Sequence, residues 1–163
     1  MPPAFLFQRC MALMASVPPT KAVSIPRRTH RKIKLCMHHI LLIDDEHDIR
    51  EVASLTLEAT AGWTVRTASS GTQGIQAAID DQPEAILLDV MMPEMDGPTT
   101  FREIQKHPEI AHIPVILLTA KVQGVDQRRF SDLGVAAVLF KPFDPMTLAQ
   151  QIADVLHWEL VAA

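Results

Sequence analysis

The 163-residue chain is poor in cysteine, and the two it has, Cys10 and Cys36, both fall before residue 37. Everything beyond them therefore lacks the means for an internal disulfide or a thiolate metal site, which fits a reducing, cytoplasmic setting. No uninterrupted apolar run approaches the ~18 to 20 residues that a bilayer-crossing helix needs, so no membrane span is expected. Glycine-rich phosphate loops are missing too. Neither GxxxxGKS, GxxxxGKT nor GxGxxG occurs, which excludes P-loop NTPases and dinucleotide-binding enzymes of the usual kind. His38, His39, His47, His107, His112 and His157 show no spacing that ties them to a second ligand cluster, and they are read as surface or terminal residues.

Acidic residues are absent from one stretch only. Residues 1–38 hold seven Lys or Arg and no Asp or Glu, leaving eight basic against nineteen acidic side chains in the remaining 125 residues, a net charge of -11. A basic, proline-containing extension (1–38) thus precedes an acidic globule (39–163), one ordinary domain with a tail. The extension has no sustained periodicity and is expected to be disordered. Arg9 interrupts its apolar stretch, against a secretory signal. An organelle transit peptide remains open, as does contact of RRTHRK with nucleic acid or anionic lipid, and so does a translation start at Met37.

From His39 onward, short apolar runs alternate with amphipathic stretches. Strands are expected at Ile40 to Ile43, Thr64 to Thr67, Ala85 to Leu88, Val115 to Leu118 and Ala136 to Phe140. Between the first two, Ile49, Val52, Ala53 and Leu57 recur at helical spacing up to Gly62. Ser70 can cap a helix stopped by Pro83, and Pro98 opens another that closes before Pro108. A shorter helix is expected around Asp126 to Leu133, with Arg128 and Arg129 on a solvated face. Asp144 and Pro145 then cap a final helix buried through Leu148, Ile152, Val155 and Leu156. Five strands alternating with five helices imply an α/β fold, an all-parallel sheet covered on both faces.

In such a sheet ligands bind beyond the carboxyl ends of the strands, where strand order reverses. The chemistry-bearing residues sit at those ends: Asp44, Asp45 and Glu46 after the first strand, Asp89 after the third, Thr119 after the fourth and Lys141 after the fifth. Gathering carboxylates in one cleft costs free energy, because like charges raise one another's pKa. A divalent cation relieves that cost, and an all-oxygen ligand set favours a hard ion such as Mg²⁺. With Mg²⁺ and a lysine facing one aspartate, the site could balance a transferring phosphoryl group, with Asp89 as nucleophile.

IDDE at 43–46, LLDVMMPEMDG at 87–97, LTA at 118–120 and KPF at 141–143 together resemble the receiver domain of two-component response regulators, over about His39 to His157. The resemblance implies a flavodoxin-like (βα)5 fold with strand order 2-1-3-4-5. It implies Asp89 as phosphoacceptor, with Thr119 and Lys141 holding phosphoryl oxygens and a cis Lys141–Pro142 bond. For Mg²⁺ it implies Asp45 as principal carboxylate ligand, Asp44 as a partner acting through water, Asp89 itself and the backbone carbonyl of Met91. The implied donor is a sensor histidine kinase or a phosphotransfer protein. Because the chain ends just after the last helix, a stand-alone receiver is expected that signals through a downstream protein partner, with no DNA-binding domain. One position departs from the family pattern: three residues before the lysine, where many receivers carry Tyr or Phe, stands Val138. The usual aromatic route from the phosphoryl group to the surface of the fourth and fifth strands is therefore in question.

Two other functions are set against this one. A pseudo-receiver, an interaction module that is never phosphorylated, would be signalled by loss of Asp89, Asp45 or Lys141, all of which are present. A phosphatase or phosphotransferase using an aspartyl phosphate would place an acid two residues after the nucleophile. Met91 stands there, which argues against turnover on an external substrate.

Overall fold

The computed structural model describes residues 37–120, 130 and 132–160. The extension up to residue 36, most of the helix expected around Asp126 to Leu133, and the Arg128–Arg129 pair lie outside the described residues. Those described form strands β1 (His39–Ile43), β2 (Thr64–Ala68), β3 (Ala85–Asp89), β4 (Val115–Ala120) and β5 (Ala137–Lys141), with helices α1 (His47–Ala61), α2 (Gly71–Asp81), α3 (Gly97–Ile104) and α4 (Pro145–Leu156). All strands pair in parallel, in the order β2-β1-β3-β4-β5. This is the expected doubly wound, flavodoxin-like sheet.

The central strands read as continuous apolar runs because side chains alternate across the sheet and both faces are covered. Leu41, Ile43, Ile86, Leu88, Val115 and Leu117 pack on one face with Ala77 and Ala78 of α2 and Phe101 and Ile104 of α3. Ile40, Leu42, Leu87, Ile116 and Leu118 pack on the other with Ala53 and Leu57 of α1 and Leu148 and Ile152 of α4. Val52 departs from its expected place: it is 46% exposed. Ala53 and Leu57 define the stripe of α1 that meets the sheet, and at 100° per residue position 52 lies to one side of it.

The expected punctuation marks the helix ends. Gly62 closes α1 in the left-handed conformation at φ 65°, and Ser70 caps α2 by accepting from the Gln73 N–H. Asp144 caps α4 by accepting from the Met146 N–H at 2.9 Å, with Pro145 in the first turn. His38 is not the free terminal residue expected. Its ring lies flat on Trp158, 3.7 Å between centroids, meets Trp63 edge-on, and sets Nδ1 2.8 Å from Glu84 Oε2. This small aromatic cluster closes the amino-terminal edge of the sheet, opposite the acidic strand ends.

Candidate functional site

The topology switches direction between β1 and β3, so the carboxyl ends of these strands frame a cleft. β1 delivers Asp44, fully buried, with Asp45 beyond it; β3 ends in the buried Asp89. Carboxylate oxygens of Asp44, Asp45 and Asp89 lie within 4.8 Å of one another, the one such grouping of potential ligands among the described residues.

Lys141 reaches this cluster from β5, across two intervening strands. Its Nζ donates to Asp44 Oδ2 at 2.5 Å and to Asp89 Oδ1 at 2.7 Å, and lies 3.7 Å from Glu46 Oε1. The ammonium therefore bridges two carboxylates, where a lysine facing a single aspartate was expected. Burial pulls its pKa down, but the hydrogen bonds and charges of Asp44 and Asp89 outweigh that, and the net displacement is upward. For Asp89 burial is the largest influence and pushes the carboxyl pKa up. Lys141 opposes it, the Asp44 charge adds to it, and the net direction is up. Both Asp89 oxygens are engaged, since Oδ2 accepts from the Met91 N–H at 3.0 Å.

Supporting contacts hold the frame. Asp44 Oδ1 accepts from the Glu46 N–H at 2.9 Å at the entry to α1, and Arg50 of α1 donates to the Asp44 carbonyl at 2.6 Å. Sequence reasoning missed Arg50, whose helical position carries no mark of its role. Thr119, the fifth residue of β4, is buried at the same edge, but its hydroxyl donates to the neighbouring Ala120 carbonyl at 2.9 Å. Among the described contacts, then, Lys141, Asp44 and Asp89 are joined, and Thr119 is spent locally. The Lys141–Pro142 peptide is cis. Of the three loop methionines Met92 is buried, whereas the Met91 side chain is exposed.

The loop after β3 folds back tightly. The Gly97 N–H donates to the Val90 carbonyl at 2.9 Å, and Asp96 caps α3 by accepting from the Thr99 N–H at 2.8 Å. The Thr99 side chain leads the influences holding the Asp96 carboxyl below the usual range, and the Thr99 N–H adds to it. A Cβ on Gly97 would run into the Asp89 carbonyl oxygen and come within 2.8 Å of Val90 Cα, both backbone atoms that no rotamer change can move. Gly97→Ala is therefore expected to displace the residues that set Asp89 in place and to cost about 1 to 3 kcal/mol, as overpacking does. A thermal melt beside the parent protein measures it.

The donor set fits a hard divalent cation. Three clustered carboxylates against one ammonium leave a net charge near -2, and every candidate ligand atom is oxygen.

The family model of the response regulator receiver domain matches residues 40–153. The chain is 34% identical over 130 residues to a probable transcriptional regulator, ycf27, of Cyanidium caldarium, covering 80% of this chain and 51% of that protein. It is 37% identical over 121 residues to the DNA-binding dual master transcriptional regulator RpaA of Synechocystis, covering 74% of this chain and 50% of the relative. Among solved structures, the chemotaxis response regulator CheY4 of Vibrio cholerae superposes with a TM-score of 0.68 at 29% identity, over 73% of this chain and 98% of its own. The chain spans about half the length of the curated relatives it matches. That overturns the expectation of no DNA-binding domain: a match to one half of proteins named as transcriptional regulators gives no ground for excluding one. No helix among the described residues is long and apolar enough to cross a membrane.

Proposed function

From the premise that the chain belongs to the response regulator receiver family, a family of phosphoacceptor switches, we propose that Asp89 accepts a phosphoryl group in a Mg²⁺-dependent reaction. The donor is a phosphohistidine on a sensor kinase or phosphotransfer protein, in the cytoplasm. The observation that carries this reading is the Lys141 ammonium held between Asp44 and Asp89 in a cleft with a third carboxylate.

The chemistry follows from these side chains. Burial strips water from the Asp89 carboxylate, and the Met91 N–H fixes its orientation. One Asp89 oxygen attacks phosphorus as the bond from phosphorus to the donor nitrogen breaks. The electron pair leaves with the imidazole, and Asp89 carries a mixed anhydride. Lys141, already within reach of Asp89, exchanges its bond to the carboxylate for one to a phosphoryl oxygen. Thr119 turns its hydroxyl from Ala120 to another. Asp44, Asp45, Asp89 and the Met91 carbonyl would hold the Mg²⁺, which when bound would supply positive charge to balance that of the phosphoryl oxygens. The chain thus works as a switch on itself and not as a turnover enzyme.

Incubation with acetyl phosphate tests the reading. Intact-protein mass spectrometry should show a gain of one phosphoryl group with Mg²⁺ and none with EDTA; no gain in the presence of Mg²⁺ would favour the unphosphorylated interaction module. Mg²⁺ alone should raise the melting temperature progressively with concentration, because an ion that binds only the folded state stabilises it by mass action.

A further inference from the structure

Of the three carboxylates that meet at the ends of β1 and β3, two are held through their own oxygens. Asp44 accepts from Lys141 and the Glu46 N–H, and Asp89 accepts from Lys141 and the Met91 N–H. Asp45 is the more open of the three, and the described contacts around it go to its backbone neighbours. One residue of α1 supplies them on both sides. The Arg50 guanidinium donates from Nη1 to the Asp44 carbonyl at 2.6 Å, and the Arg50 backbone N–H donates to the Glu46 carbonyl at 3.1 Å. The Asp44 carbonyl belongs to the peptide plane that carries the Asp45 nitrogen and Cα, and the atoms of that plane move together. Holding the oxygen with an ionised donor, one of the stronger kinds of hydrogen bond, therefore sets the direction in which Asp45 leaves the strand.

We infer that Arg50 is a positioning residue for the divalent cation: its guanidinium orders Asp45 as a ligand by locking the Asp44–Asp45 peptide. The inference rests on the Mg²⁺ site of the reading above. Removing the guanidinium has two opposing effects, and their signs separate them. As a positive charge beside clustered carboxylates, Arg50 repels a cation, so loss of the charge alone tightens binding. As a clamp, it spares the ion the cost of ordering a ligand, so loss of the clamp weakens binding. Water at the open Asp45 side screens the charge effect, whereas groups that orient metal ligands from behind are worth about ten-fold or more in affinity. The clamp therefore outweighs the charge. It also distinguishes ions: Mg²⁺ demands a near-octahedral ligand set and Ca²⁺ tolerates an irregular one, so a loosened Asp45 harms Mg²⁺ binding more. A change of charge alone acts on both ions alike.

The test is titration of the unphosphorylated protein with Mg²⁺ and, separately, with Ca²⁺, followed by amide NMR, which measures weak affinities and shows in the same spectra that each variant is folded. Arg50→Ala should weaken Mg²⁺ binding about ten-fold or more and Ca²⁺ binding less, so that the preference for Mg²⁺ falls. Arg50→Lys, which keeps a charged donor on a slightly shorter stem, should recover part of the Mg²⁺ loss. Should alanine prevent folding, Arg50→Gln provides the same comparison, since it removes the charge and shortens the side chain while keeping a polar end. Mg²⁺ binding that is unchanged or tighter in the variant, or equal losses for Mg²⁺ and Ca²⁺, overturns the inference and leaves the Mg²⁺ site of the parent intact. A parent that does not bind Mg²⁺ overturns both.

Discussion

Asp89→Asn should take no phosphoryl group from acetyl phosphate and Mg²⁺, and at neutral pH it should unfold at a higher temperature than the parent. The first effect follows from chemistry: the amide keeps the shape but offers one accepting oxygen in place of two, so it can accept from Lys141 or from the Met91 N–H but not from both, and it cannot form the mixed anhydride. The second follows from electrostatics. Because the Asp89 pKa is raised on folding, the folded state holds its proton to higher pH than the unfolded chain does. Stability therefore falls as pH rises from the ordinary carboxyl value of 3.8 through the raised folded value, and the full cost is present above it. Asparagine removes that cost together with the repulsion from Asp44. The gain in melting temperature should be present at pH 7 and vanish below about pH 3.8. Phosphoryl gain by the variant would reject Asp89 as acceptor, and a lower melting temperature at pH 7 would show that Lys141 outweighs burial at this carboxylate.

The division of labour between stability and function at this edge explains which parts were legible in the sequence. Ile40 to Ile43 and Ala85 to Leu88 are apolar at every position because both sheet faces are covered, and such runs are visible without any contact information. The strand ends were less visible. β3 takes in Asp89, β4 runs on to Ala120 and β5 to Lys141, because the ladder pairs Asp89 with Leu118 and Ala120 with Lys141 after the hydrophobic signal has stopped. Polar residues inside a ladder are what a functional edge requires, and they are what hydrophobic patterning misses.

Contacts that join distant segments were also hidden. The sequence marks His38 as a surface or terminal residue, yet it packs on Trp63 and Trp158 and reaches Glu84, three positions that only the fold brings together. Lys141 bridging to Asp44 is of the same kind, since β1 and β5 are separated by two strands and only the fold brings the two side chains together. The identity of the clustered residues could be read from the strand ends. Their pairing could not.

That pairing determines the outcome for Lys141→Ala. The Lys141 side chain is 10% exposed and its ammonium is the cation shared by two buried carboxylates, so its removal leaves Asp44 and Asp89 facing each other without compensation. Breaking a buried ion pair from one side costs about 3 to 5 kcal/mol, far more than deletion of an exposed lysine. The raised Lys141 pKa shows that the ammonium gains by folding, and its contribution is complete below 10.5, so the whole loss is felt at neutral pH. Two conditions should return part of it. Lowering the pH lets Asp89 take up its proton, and its raised pKa makes this begin earlier than for an ordinary carboxyl. Mg²⁺ replaces the missing charge, so its stabilising effect should be larger in the variant than in the parent, where Lys141 competes for the same oxygens. Labelling should fall as well, since the phosphoryl group loses its cationic partner. Urea melts of parent and variant at pH 5 and pH 7, each with and without Mg²⁺, separate these terms. A loss below about 1 kcal/mol in all four conditions would place Lys141 among ordinary surface ion pairs and remove the electrostatic basis for the site.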